Sequence, residues 1–159
     1  MNVEIAKTDE QIEACYPVMR ELRPHLDALA FVDIVRNMQR DGYALAFLSV
    51  SGRVIAVAGF RTKRTLFCDK FLYVDDLVTL STERSKGYGK VFLEWLKDRA
   101  RTEGCAELHL DSGIQRKDAH RFYERNGVEA AGYHFRVKLE QRVPWMHQAE
   151  QARITEHDA

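Results

Sequence analysis

The sequence predicts an α/β fold with a mixed, mainly antiparallel central sheet flanked by helices. Three observations carry this prediction. Short apolar or alternating runs take turns along the chain with amphipathic segments of helical period. Two such runs, residues 43–50 and 53–61, flank Ser51-Gly52, a two-residue turn that suits a β-hairpin. A later run, 71–80, is followed by a helix and another short apolar run, which is the layout of a βαβ unit.

Residues 2–7, first in chain order, alternate in polarity and read as a strand. Thr8 can cap the free N–H groups of a helix, and Gln11 three positions on completes a capping box. Ile12, Cys15, Met19 and Leu22 share one face of that helix, and Pro24 stops it. A second helix carries Phe31, Ile34, Val35 and Met38, ending at Asp41-Gly42. The hairpin and the strand over 71–80 come next. Residues 84–90 then form a loop that opens a helix with Val91, Phe92, Trp95 and Leu96 on one side, and Gly104 is placed to cap its end. A strand over 105–111 and a helix over 118–126, ended by Gly127, lead to one or two strands within 132–139. The expected organisation is one domain over 1–143 and a polar tail over 144–159.

Composition narrows the function classes. The chain has 159 residues, 45% hydrophobic and 30% charged, enough for one sizeable core. Lys plus Arg and Asp plus Glu both total 24, so the net charge is zero, against a nucleic-acid partner bound by bulk charge. No apolar stretch approaches the roughly 18–20 residues that span a bilayer, so no membrane partner is expected. The N-terminus has neither a basic start nor a long apolar segment, and the expected location is cytoplasmic. Cys15, Cys68 and Cys105 form no CxxC pair and the histidines no HExxH motif. No metal is expected on that basis.

The most informative stretch is Arg84-Ser85-Lys86-Gly87-Tyr88-Gly89-Lys90, between an apolar strand and an amphipathic helix. The first N–H groups of a helix lack intrahelical partners, and the peptide dipoles make that end partly positive. Glycines at 87 and 89 let an anion such as a diphosphate approach the backbone closely. A P-loop would require GxxxxGK[ST], and a dinucleotide fingerprint would require glycine where Phe92 stands. Both common nucleotide readings fail. A GxG in this place is equally compatible with a plain tight turn.

Here the chain resembles the GNAT superfamily of N-acetyltransferases. Arg84, Gly87 and Gly89 match its Arg/Gln-x-x-Gly-x-Gly/Ala loop, and residues 119–128 match its Ala-x-x-Phe-Tyr-x-x-x-Gly-Phe segment. Two departures stand out: Arg116 where the family often has Asn, and Val128 for the commoner Phe. The first puts in question a contact to the pantetheine arm that Ser112 or Gln115 could supply instead. The resemblance implies acetyl-CoA as cosubstrate, its pyrophosphate on the backbone of residues 85–90, and its pantetheine arm beside Leu77, Val78 and Thr79. It also implies that the Val78 N–H faces the thioester oxygen, and that Arg84 and Lys86 add charge near the phosphates. A homodimer is compatible with it, though nothing in the sequence requires one.

Acetyl transfer to an amine raises two proton problems. An ammonium of pKa near 10.4 is nucleophilic in only roughly one molecule per thousand at pH 7, a handicap of about 4–5 kcal/mol. A base must remove that proton, and the leaving thiolate needs one. Tyr123 matches the family tyrosine that faces the sulfur and is the donor candidate; on spacing alone it reads equally as a core residue beside Phe122. Asp75 and Asp76 are base candidates, because carboxylates inside an apolar strand need a reason to be there. Successive strand residues point to opposite faces, so at most one of them should enter the cleft; pairing with arginine is the competing explanation. His120 is an alternative base, and His109 reads as structural. The expectation is direct attack by a small-molecule or peptide amine in a ternary complex. A non-catalytic CoA-binding module of the same fold is the rival; it would bind CoA and release no thiol.

Overall fold

The computed structural model describes residues 2–139, ordered as β1 (Asn2–Ile5), α1 (Asp9–Leu22), α2 (Ala28–Arg40), β2 (Ala44–Val50), β3 (Arg53–Thr65), β4 (Asp69–Thr79), a 3-10 turn (Ser81–Glu83), α3 (Tyr88–Thr102), β5 (Glu107–Leu110) and α4 (Lys117–Arg125). Local chemistry sets the helix starts. Gln11 N donates to Thr8 Oγ1 at 3.3 Å while Thr8 N donates to Gln11 Oε1 at 3.2 Å, closing the capping box. Asp27 caps α2 by accepting from the amides of Leu29 and Ala30. At the far end of α3, Gly104 takes φ 69° and Cys105 N returns to Ala100 O, a left-handed stop.

The strands form one sheet in the order β1-β2-β3-β4-β5, antiparallel up to β4 and parallel between β4 and β5. The fold is therefore mixed α/β, as the sequence predicts. Neighbouring residues of β3 show how its two faces are used. The ring of Phe60 meets Trp95 of α3, whereas Gly59 turns to Tyr43 and the side where Arg23 ends α1. The core is continuous across the sheet: Ile12, Cys15 and Val18 of α1, Leu45 and Val57 from the strands, and Phe92 and Leu96 of α3 are buried together.

Two departures from regular pairing shape the middle of β4. The β4–β5 ladder ends at Val74↔Leu110, while β3 continues to pair with β4 as far as Ala56↔Thr79. Beyond Val74, β4 thus has a strand neighbour on one edge only among the described residues. In addition, Gly59 pairs with Asp76 and Phe60 with Val74, so Asp75 is the extra residue of a bulge. Bulges re-aim side chains.

Residues 132–139 form no strand, contrary to the expectation from their alternating pattern. Tyr133, Phe135, Val137 and Leu139 do alternate, but all four are exposed and no described strand pairs with them. A period-2 pattern marks two faces; a ladder partner makes a strand. The tail expected over 144–159 lies outside the described residues. Among the described residues no helix is long and apolar enough to cross a membrane.

Candidate active site at the splayed strands

A cavity opens where β4 and β5 part. Its walls include Val74, Asp75 and Leu77 from β4, Leu110 and Ser112 at the end of β5, Arg23 after α1, and Arg116 and Tyr123 of α4. The splay is the physical origin of the cavity: strands that stopped pairing leave room between them.

The loop after β4 leads into the start of α3, where Gly89 packs beside Phe122, the neighbour of cavity-lining Tyr123. Ser85 (φ 63°) and Gly87 (φ 85°) are both left-handed, and Gly87 is the residue that precedes the first turn of α3. A Cβ on Gly87 would meet nothing, so the approach to the helix end from that side is open. Val91 N to Gly87 O, at 3.2 Å, is the first bond of the helix. Among the described residues, no acceptor is paired with the amides of Ser85, Lys86, Gly87, Tyr88, Gly89 or Lys90. Gly89 has a different reason to be bare: a Cβ there would sit 3.4 Å from the Phe122 ring and 3.8 Å from Thr79 Oγ1. It lets α4 pack against the start of α3.

The charged side chains of the loop are held back from its amides. Arg84 donates to Thr79 O at 3.3 Å and approaches Glu21 at 3.5 Å; Lys86 pairs with Glu83 at 2.8 Å. Glu21 also accepts from the amide and hydroxyl of Ser81, tying the turn before the loop to α1. Both cations are exposed. Leu77, Val78 and Thr79 pair with Ala58, Val57 and Ala56 on their β3 edge and have no strand on the other among the described residues.

Sequence neighbours Asp75 and Asp76 have different surroundings. Asp75, on the bulge, lines the cavity and accepts from Arg61 Nε at 2.9 Å. Asp76 lies away from it, accepting from Arg23 Nε at 2.7 Å and from the Tyr43 hydroxyl at 3.2 Å. Arg23 spans the two, because its NH2 group also donates to the Asp75 carbonyl at 3.1 Å. Both carboxylates thus have an arginine partner.

Tyr123 lines the cavity from α4, in the same helical stripe as Arg116 and Ala119. Burial pushes its phenol above the ordinary value of 10.0, and the Arg116 guanidinium pulls it part of the way back. The phenol is therefore protonated at neutral pH. His120 Nε2 is 3.0 Å from Gly113 O, occupied with the loop before α4, and His109 stacks on Phe71 at 4.4 Å. Ser112 Oγ is buried and has no hydrogen-bond partner among the described residues. A buried hydroxyl left unpaired beside a cavity is an expensive arrangement unless a ligand satisfies it. Arg23, which lines the cavity, and Tyr43, which shares Asp76 with it, carry no motif, and their contacts are visible only once α1 and β2 are placed.

The sheet splays where β4 and β5 part, and among the described residues the amides that open α3 have no acceptor, an arrangement with the chemistry to take an anion. The Acetyltransferase (GNAT) family matches residues 7–128, and the chain belongs to that family. It is an acetyl-transferring enzyme. The chain is 36% identical over 135 residues to the uncharacterized N-acetyltransferase YhdJ of Bacillus subtilis, spanning 84% of this chain and 94% of that one. It is 28% identical to the aminoalkylphosphonate N-acetyltransferase of Salmonella typhimurium, over 83% and 88% of the two chains. Among solved structures, the aminoglycoside N-acetyltransferase AAC(6')-Iy in complex with CoA shares the fold with a TM-score of 0.75 at 16% identity, covering 88% of this chain and 96% of that one.

Proposed function

We propose that the protein moves the acetyl group of acetyl-CoA to the primary amine of a small molecule by direct attack within a ternary complex. The observation that carries this reading is the run of six consecutive amides at the start of α3, residues 85–90, which have no acceptor among the described residues. A diphosphate offers them charged acceptors, and each such hydrogen bond contributes about 1.5–3 kcal/mol. The unpaired Ser112 hydroxyl gives the pantetheine arm a polar contact where the family's Asn is replaced by Arg116. CoA is the ligand of AAC(6')-Iy, and an aminoalkylphosphonate is a small-molecule amine, which favours a small acceptor over a peptide. A cytoplasmic setting fits three cysteines that form no disulfide.

In this reading the arm lies along the free edge of Leu77, Val78 and Thr79, bringing the thioester into the cavity. The Val78 N–H donates to the carbonyl oxygen as charge develops on it. Asp75 takes the ammonium proton, directly or through water, while Arg61 holds its carboxylate in place. The amine nitrogen attacks the acetyl carbon, the C–S bond breaks, Tyr123 passes its proton to the departing thiolate, and the second proton that the nitrogen sheds as the amide forms returns to the Tyr123 phenolate through water. Asp76 holds Arg23, which orients the Asp75 carbonyl. No cysteine takes part: burial pushes the Cys15 thiol up to about 12, and Cys68 and Cys105 do not line the cavity.

Calorimetry with acetyl-CoA tests the loop. Gly87→Glu should abolish binding through charge repulsion, whereas Gly87→Ala, which carries the same left-handed strain, should bind within a few-fold of the parent. Equal affinity in the Glu variant removes the loop from the reading. Thiol release over a panel of small amines tests the transfer, and CoA binding without release from any amine would leave only a binding module.

A further inference from the structure

At the far end of β4 from the cleft, three metal-binding side chains meet. The tip of the β3–β4 hairpin carries Cys68, and β5 runs parallel to the β4 residues that come after it, with Phe71↔Glu107 and Tyr73↔His109 in register. Glu107 and His109 are two apart on a strand and project to the same face. The Cys68 Sγ, a Glu107 carboxylate oxygen and a ring nitrogen of His109 all lie within 4.8 Å of one another. We propose that Cys68, Glu107 and His109 form a binding site for a divalent borderline ion of the zinc class, separate from the acetyl-transfer cleft.

Donor chemistry selects the ion. Thiolate, imidazole and carboxylate together suit zinc and its neighbours, whereas magnesium and calcium require oxygen donors alone. Size fits as well. Tetrahedral bonds of about 2.0–2.3 Å place donor atoms roughly 3.3–3.8 Å apart, so on loading the Glu107–His109 pair, now 2.5 Å apart, opens by about 1 Å to admit the ion, and Cys68 Sγ, within 4.8 Å of both, completes the third side. Cys68 and Glu107 can supply that movement, because one sits in a partly exposed turn and the other is exposed. His109 is the fixed point: its ring stacks on Phe71 with centroids 4.4 Å apart, and Glu107 already hydrogen-bonds its Nε2.

Loading converts that hydrogen bond into two metal bonds. The thiol proton leaves to solvent, the sulfur binds as thiolate, and the imidazole binds as the neutral ring. Three protein donors leave the fourth position to water. The ion then joins the hairpin tip to β5, a strand of four residues that pairs with β4 over Phe71–Val74. Binding to the folded state alone raises the melting temperature with metal concentration. Sequence spacing conceals the site, since Cys68 comes from the hairpin turn and Glu107 and His109 from β5, far along the chain.

Cobalt(II) titration of metal-free protein is the test. The expected result is a thiolate-to-cobalt charge-transfer band with tetrahedral d–d absorption, saturating at one cobalt per chain and erased by zinc. Cys68→Ser should remove the charge-transfer band and His109→Gln should weaken cobalt affinity at least tenfold. Cys105→Ser, which alters the other partly exposed thiol, should change neither. Far-ultraviolet circular dichroism establishes that each variant is folded, and zinc should raise the melting temperature of the parent but not of Cys68→Ser. No charge-transfer band in the parent, a band that survives Cys68→Ser, or an affinity indifferent to His109→Gln would each overturn the proposal.

Discussion

The Tyr43 hydroxyl donates to an Asp76 carboxylate oxygen at 3.2 Å over the bare α-carbon of Gly59. A Cβ on Gly59 would lie 1.9 Å from that hydroxyl oxygen and 2.4 Å from the ring carbon bearing it. Tyr43 is 5% exposed and cannot swing aside into solvent. Gly59→Ala should therefore cost about 2 kcal/mol, lowering Tm by roughly 4–8 °C. It should also displace Tyr43 from Asp76, leaving Arg23 as the remaining partner of that carboxylate. Unchanged melting would show that the sheet yields more readily than close packing allows.

The same pair makes stability sensitive to alkali. Burial raises the Tyr43 phenol well above 10.0, and the negative charges of Asp76 and Asp75 raise it further. An unfolded tyrosine ionises near 10, so the contribution of the neutral buried phenol is complete below that pH. It is lost as pH rises from there through the folded value. Tyr43→Phe should lower stability at pH 7 yet reduce the alkaline slope by as much as about 1.4 kcal/mol per pH unit. Urea unfolding at a series of pH values between neutrality and 11 measures both. Parallel curves for parent and variant would exclude Tyr43 as the titrating group.

Much of the frame was legible in the residues. The capping box of Thr8 and Gln11, the hairpin at Ser51-Gly52 and the βαβ unit all rest on contacts within a few residues or on strong periodicity, and each is present. β3 runs four residues beyond the expected 61, because Thr62–Thr65 gain their strand character from pairing with Asp69–Leu72, not from their own polarity. The cleft was harder to read. Which aspartate faces it depends on a one-residue bulge opposite Gly59, and no local pattern encodes a bulge whose cause lies on the partner strand. Arg23 and Tyr43 reach Asp76 from the end of α1 and from the residue before β2, so only the assembled fold brings them together.

Thiol chemistry checks that transfer is direct. Cys15 is fully buried, its Sγ donates to Gln11 O, and burial holds its thiol up to about 12. In metal-free native protein an aromatic disulfide reagent should modify Cys68 and Cys105 and spare Cys15 until denaturant is added. Cys68→Ser and Cys105→Ser should both keep the turnover of the parent. A loss of turnover in either variant, with cofactor affinity intact, would point instead to an acetylated cysteine intermediate.

Arg116 and Tyr123 are seven residues apart, two turns of one helix, and both face the cavity. Arg116 has no carboxylate partner among the described residues, unlike Arg23 and Arg61. Its positive charge opposes the upward push that burial exerts on the Tyr123 phenol. If Tyr123 protonates the leaving thiolate, the basic limb of the kcat profile reports loss of that proton. Arg116→Gln removes the charge that favours the phenolate, so the limb should move to higher pH. The same substitution leaves less positive charge near the sulfur as it departs, and maximal kcat should fall about tenfold, equivalent to roughly 1.4 kcal/mol. Arg116→Lys should recover part of both effects, and Tyr123→Phe should erase the limb and lower turnover at least tenfold with cofactor affinity retained. A limb that stays in place in Arg116→Gln would separate the two side chains and return Tyr123 to a packing role beside Phe122.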